Sequence, residues 1–133
     1  TKILEGYGVR YKYVRDFSDS LAKQEIEAHL RTGNPVIFVV AAKSRKAGAV
    51  ANKWTSGYHC MTMLGMTDTG KVIVADSVDR STKTFGNNQR IKYASLGELI
   101  GYMFPCTNTT STSIYWGGKA SSGGYILINP QNQ

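Results

Sequence analysis

Hydrophobic and polar positions along the chain mark out a short series of elements. The opening Thr1-Lys-Ile-Leu-Glu-Gly-Tyr-Gly reads as the end of a helix closed by glycines, with Gly6 and Gly8 able to take left-handed dihedrals. Val9 to Val14 alternates apolar or aromatic residues with basic ones, the pattern of a half-buried strand. Ser18 is an N-cap for a helix running to about Arg31, in which Ala22, Ile26, His29 and Leu30 fall on one face and Gly33 ends the run. Pro35 to Ala41 is uninterrupted and β-branched, which predicts a mid-sheet strand buried on both faces.

From Ala42 to Ser56 no period survives, so an exposed loop is expected there. Gly57 to Thr67 and Lys71 to Ser77 form a hairpin around Asp68-Thr69-Gly70, where glycine supplies the positive dihedral of the turn. Residues 78–93 read as irregular. Ser95 caps a short helix that Pro105 stops after Phe104. A polar stretch at 107–113 and a glycine-rich one at 117–124 flank a short Ile114-Tyr115-Trp116 strand, and Tyr125 to Asn129 makes a last one. The four methionines, three of them at 61, 63 and 66, fill the core under the hairpin.

Composition narrows the picture only a little. At 133 residues and 41% hydrophobic content the chain suits one compact α+β domain. Sixteen Lys and Arg against nine Asp and Glu give a charge of +7, which attracts anionic partners such as acidic wall polymers. These basic residues, Lys92 among them, are scattered apart from a cluster at 43–46. They read as a solvated surface with no nucleic-acid reading element. No stretch is apolar for long enough to span a membrane. Cys60 and Cys106 make neither a metal site nor a disulfide framework, so their redox state stays open, and both read as small buried hydrophobes. The glycine-rich segment lacks the Gly-Lys-Ser/Thr of a phosphate loop, and no cofactor is expected.

One pair carries candidate chemistry. Strand alternation turns His59, Met61 and Met63 one way and Cys60, Thr62 and Leu64 the other, so His59 and Cys60 are not partners. Asp76 shares a face with Val72 and Val74, and the hairpin brings it back beside His59. A carboxylate in that position fixes an imidazole's tautomer and stabilises its protonated form. Taken alone, such a pair is more often structural than catalytic. Trp54, in the long loop, and Tyr58 are candidates to line a substrate groove beside His59, whereas His29 reads as structural.

The surrounding segments add a resemblance. "YGVRYKYV", then "HLRTGNPVIFVV", then "WTSGYHCMTMLGMTDTGKVIVADS" resembles the second half of bacterial papain-like cysteine peptidases of the bacteriocin-leader-processing type, family 39 of the cysteine peptidases, and of wall-associated and phage relatives. The matching pieces are Gly33-Asn34-Pro35-Val36-Ile37, Gly57-Tyr58-His59, Thr69-Gly70 and Asp76. The resemblance implies a papain-like α+β fold, an antiparallel sheet with helices packed on it. It also implies His59 as general base and Asp76 as the acid that orients it.

The family places its nucleophilic Cys, with a Gln shortly before it, on a helix upstream of these segments, and no Cys precedes His59 here. The expectation is therefore a single papain-like domain over 1–133 without the helix that carries the nucleophile. The missing helix is explained by a fragment, by a second chain carrying the Cys, or by a degenerate domain that only binds. Two functions follow. One is the C-terminal part of a secreted or wall-associated bacterial or phage peptidase acting on a leader peptide or on peptidoglycan, inert as this chain alone. The alternative is an inactive peptidase-like module that grips a peptide or a cell-wall component.

Overall fold

The computed structural model describes residues 1–42, 44–45, 54–55, 57–78, 90–105 and 123–130. The expected strand at 114–116, most of the glycine-rich stretch and Cys106 lie outside them. In chain order the described elements are α1 (Lys2–Gly6), β1 (Tyr11–Val14), α2 (Asp19–Arg31), β2 (Val36–Ala41), β3 (Tyr58–Met66), β4 (Lys71–Ala75), β5 (Ile91–Ser95), α3 (Leu96–Tyr102) and β6 (Tyr125–Ile128). The strands form one six-stranded sheet in the order β1-β6-β2-β3-β4-β5. Every neighbouring pair is antiparallel. The fold is α+β, with α2 and α3 packed on one face of the sheet.

Local chemistry sets the element ends. Ser18 is extended and its Oγ accepts the Leu21 N–H, satisfying one of the donors a helix start leaves open. Ser95 does the same for Glu98 N–H at the start of α3. Gly33, at φ +88°, turns the chain out of α2 toward β2. The buried face of α2 is Ala22, Ile26, His29 and Leu30, the set its period predicts. His29 sits close to the Pro35 carbonyl (3.2 Å), a structural contact that ties α2 to the start of β2.

The core lies between the helices and the sheet, where Ile26, Phe38, Met63, Val74 and Leu99 are among the buried side chains. Three expectations change here. β2 is buried on one face only, because Val36, Phe38 and Val40 meet the helices while Ile37 and Val39 are half-covered. In the stretch read as an exposed loop, several of the described residues are buried. Ala42, Trp54 and Thr55 are buried, and Arg45 closes the end of α3 by donating to the carbonyls of Met103 (2.6 Å) and Ile100 (2.8 Å). The end of the segment 78–93, read as irregular, begins β5, an edge strand whose Lys92 and Ala94 point inward while Ile91, Tyr93 and Ser95 face solvent.

The hairpin contains a device that alternation alone does not anticipate. Its register runs Met66 to Val72 and Gly65 to Ile73, then shifts so that Met63 pairs with Val74 and Thr62 with Ala75. The extra residue, Leu64, is a β-bulge, and it changes the phase of β3 by one. Met66 and Met63 therefore both reach the core side, although they are three residues apart. The same shift decides which way His59 points relative to the end of β4.

Candidate active site

His59 lies second on β3, opposite Val40 of β2, with its side chain directed to the helix-covered side of the sheet. Asp76 follows the last residue of β4, where its N–H donates to the Arg90 carbonyl (2.8 Å) and keeps the chain beside β5. One step beyond the Thr62 to Ala75 pair, Asp76 is level with Met61, and His59 lies farther along the same face. The imidazole spans that offset. His59 Nε2–H donates to Asp76 Oδ1 at 2.6 Å.

Asp76 is tightly held. Oδ1 also accepts the Val78 N–H (2.9 Å), and Oδ2 accepts Lys92 Nζ (2.9 Å). The carboxylate and the ammonium have no exposed side-chain surface, whereas the imidazole keeps 15% of its own. Burial by itself would push the Asp76 carboxyl up. The hydrogen bonds from His59, Lys92 and Val78 N–H, together with the Lys92 charge, outweigh it and hold the carboxyl below its ordinary value. An ionised carboxylate can only accept, so the imidazole proton sits on Nε2 and the lone pair on Nδ1. That tautomer can take a proton from a nucleophile brought to Nδ1.

The sequence pattern places Lys92 among the solvated surface cations, and the structure corrects this. The strand alternation of β5 turns it inward, and its charge is matched by Asp76. The pattern Ile91-Lys-Tyr-Ala-Ser is the only trace of this in the sequence, and it is short enough to pass for loop.

Of the expected groove residues, Trp54 has no exposed surface and belongs to the core. Tyr58 is exposed, but alternation turns it with Cys60 to the opposite face of β3. Cys60, expected to be buried, is exposed on that outer face. Desolvation of its sulfur still pushes the thiol up, so it is a thiol at neutral pH and points away from His59.

A cavity of ≈ 570 Å³ between β1, β6 and the start of α2, lined by residues that include Lys12, Phe17, Glu25 and Tyr125, lies apart from this cluster. Among the described residues no group of three or more His, Cys, Asp or Glu could hold a metal ion, and no helix is long and apolar enough to cross a membrane.

A family model described as the Peptidase_C39 like family matches residues 1–99. The match spans His59, Asp76 and Lys92 and ends within α3. No curated protein and no solved structure matches the chain.

Proposed function

Because this chain belongs to the Peptidase_C39 like family, and so to peptidase-like proteins, we propose that it supplies the base and orienting acid of a cysteine peptidase site. The observation that carries this reading is the 2.6 Å contact between His59 Nε2 and Asp76 Oδ1, on a carboxylate kept ionised in a buried setting.

In this reading a cysteine thiol gives its proton to His59 Nδ1 as sulfur attacks a peptide carbonyl. His59 returns that proton to the leaving amine as the C–N bond breaks, leaving a thioester. Water then adds to the thioester while His59 takes its proton, and the carboxylic acid and thiol are released. Asp76 holds the ring in place and stabilises the imidazolium that forms.

In this reading the nucleophile is a cysteine from outside these 133 residues: no Cys precedes His59, Cys60 faces the other way, and Cys106, outside the described residues, follows Pro105 in sequence and not the start of a helix, where a thiol is activated. The domain is accordingly inert on its own. Its substrate is a peptide or amide bond of a leader peptide or of peptidoglycan, with the +7 charge favouring an anionic wall setting and a secreted or wall-associated site of action.

Testing the native protein against purified peptidoglycan and against a glycine-terminated leader peptide, with release of new amino groups as the readout, separates the two substrates. Cleavage of neither, with retained binding to one, would move the chain to the second reading, an inactive peptide- or wall-binding module. That reading is favoured by the lack of a thiol facing His59 among the described residues.

A further inference from the structure

Asp76 stands between two partners on neighbouring strands. On the β3 side, His59 takes Oδ1; on the β5 side, Lys92 takes Oδ2. Each partner is offset from Asp76 in register, His59 beyond Met61 and Lys92 beyond Arg90, so the carboxylate is clamped from both directions along the sheet. Lys92 is 1% exposed, pairs with Val74 across β4 and β5, and also approaches the Val78 carbonyl (3.3 Å).

A buried ammonium is a costly way to fill space next to Val74, where an unbranched apolar side chain would pack as well. Its effect on the imidazole is specific. With Lys92 present, Asp76 and Lys92 sum to zero, and protonating His59 leaves the cluster at +1. Without it, Asp76 and His59 go from −1 to zero, so the imidazolium would be favoured more strongly.

We infer that Lys92 is a positioning residue of this site: it fixes the Asp76 carboxylate so that Oδ1 faces His59, and its charge offsets part of that carboxylate's attraction for an imidazolium. The inference rests on the reading of His59 and Asp76 as base and orienting acid. Charged groups on the surrounding elements make interactions of their own. Arg90 donates to the Ser77 carbonyl (2.6 Å), Glu25 of α2 is held by Lys12 and Tyr125, and His29 is at Pro35. Glu98 of α3 acts on Tyr102. β2 places the apolar Val40 opposite His59.

The test is a histidine-ring NMR titration of the whole chain, in which His29 serves as the internal control. In Lys92→Met the His59 midpoint is expected to move up by about one pH unit, and in Asp76→Asn to move down by about as much, with His29 unmoved in both. A purely structural Lys92 would leave the His59 midpoint where it is in folded Lys92→Met. That result, with Asp76→Asn still shifting downward, overturns the role of Lys92 and leaves the base reading standing. Insensitivity of His59 to both substitutions would instead remove the His59–Asp76 pair itself.

Should Lys92→Met fail to fold, the wild-type protein gives the answer without a variant. The Lys92 Nζ resonance is expected to report the His59 midpoint as pH is varied, and a flat Nζ resonance through that midpoint rejects the inference.

Discussion

His59 Nε2 and Asp76 Oδ1 are 2.6 Å apart although their residues are not paired across β3 and β4. The bulge at Leu64 is what makes this possible. With strict pairing from the Asp68-Thr69-Gly70 turn, Asp76 would fall level with Thr62, and alternation back from the inward Met66 would turn His59 to the outer face. One extra residue in β3 brings Met61 level with Asp76 and turns His59 to the inner face that Asp76 shares with Val72 and Val74.

The carboxyl of Asp76 is held below its ordinary value, so its stabilising effect is fully present above the usual carboxylate range and is lost as pH falls through the lowered value. Asp76→Asn leaves Lys92 buried without its counter-charge and should cost about 3 kcal/mol at neutral pH. The gap between wild type and variant, read by urea unfolding, should narrow as pH drops below about 4. A gap that stays constant from neutral to acid pH would contradict this account of Asp76.

Tyr125 donates its hydroxyl to Glu25 Oε1 (2.6 Å), and Lys12 Nζ meets Oε2 of the same carboxylate (3.0 Å), tying β6 and β1 to α2. Burial, then the hydrogen bond and charge of Glu25, push the Tyr125 phenol far up. A raised phenol contributes stability that is complete below the unfolded value of about 10 and declines as pH climbs above it. Tyr125→Phe should therefore lose about 1 kcal/mol at neutral pH and show a shallower alkaline decline than wild type in thermal melts at pH 8 to 11. Parallel declines would refute the assignment.

Gly124 has φ +90°, and a Cβ there would lie 2.4 Å from the Val14 carbonyl oxygen. Gly70 has φ +85° with nothing near its missing Cβ. Both substitutions to Ala carry backbone strain, but only Gly124→Ala also drives its new Cβ into the Val14 backbone. The expected losses are about 1 kcal/mol for Gly70→Ala and about 3 for Gly124→Ala in denaturant unfolding. Equal losses would show that the approach to Val14 is relieved at no cost.

What the sequence revealed follows from the range over which each signal acts. Helix α2 was legible from Ser18 to Gly33 because cap, period and glycine all lie within one segment, and its four inward residues are the ones the period selects. The hairpin and the facing of Met61 and Met63 were equally local. The bulge was not, since Leu64 differs in no way from an ordinary outward residue until its partner strand is known. Lys92 and Trp54, both read as exposed and both buried, failed for the same reason. A charged residue reads as surface unless its counter-charge is seen, and an aromatic in a polar stretch reads as exposed unless the fold of that stretch is seen.

The central claim is that His59 is the base of a cysteine peptidase site, and labelling of the native protein, together with the polypeptide segment that supplies its nucleophilic cysteine, by a thiol-directed, mechanism-based inhibitor tests it most directly. Mass spectrometry should find one cysteine modified in wild type, with the adduct lost in His59→Ala and reduced in Asp76→Asn. Undiminished labelling in His59→Ala would contradict the claim.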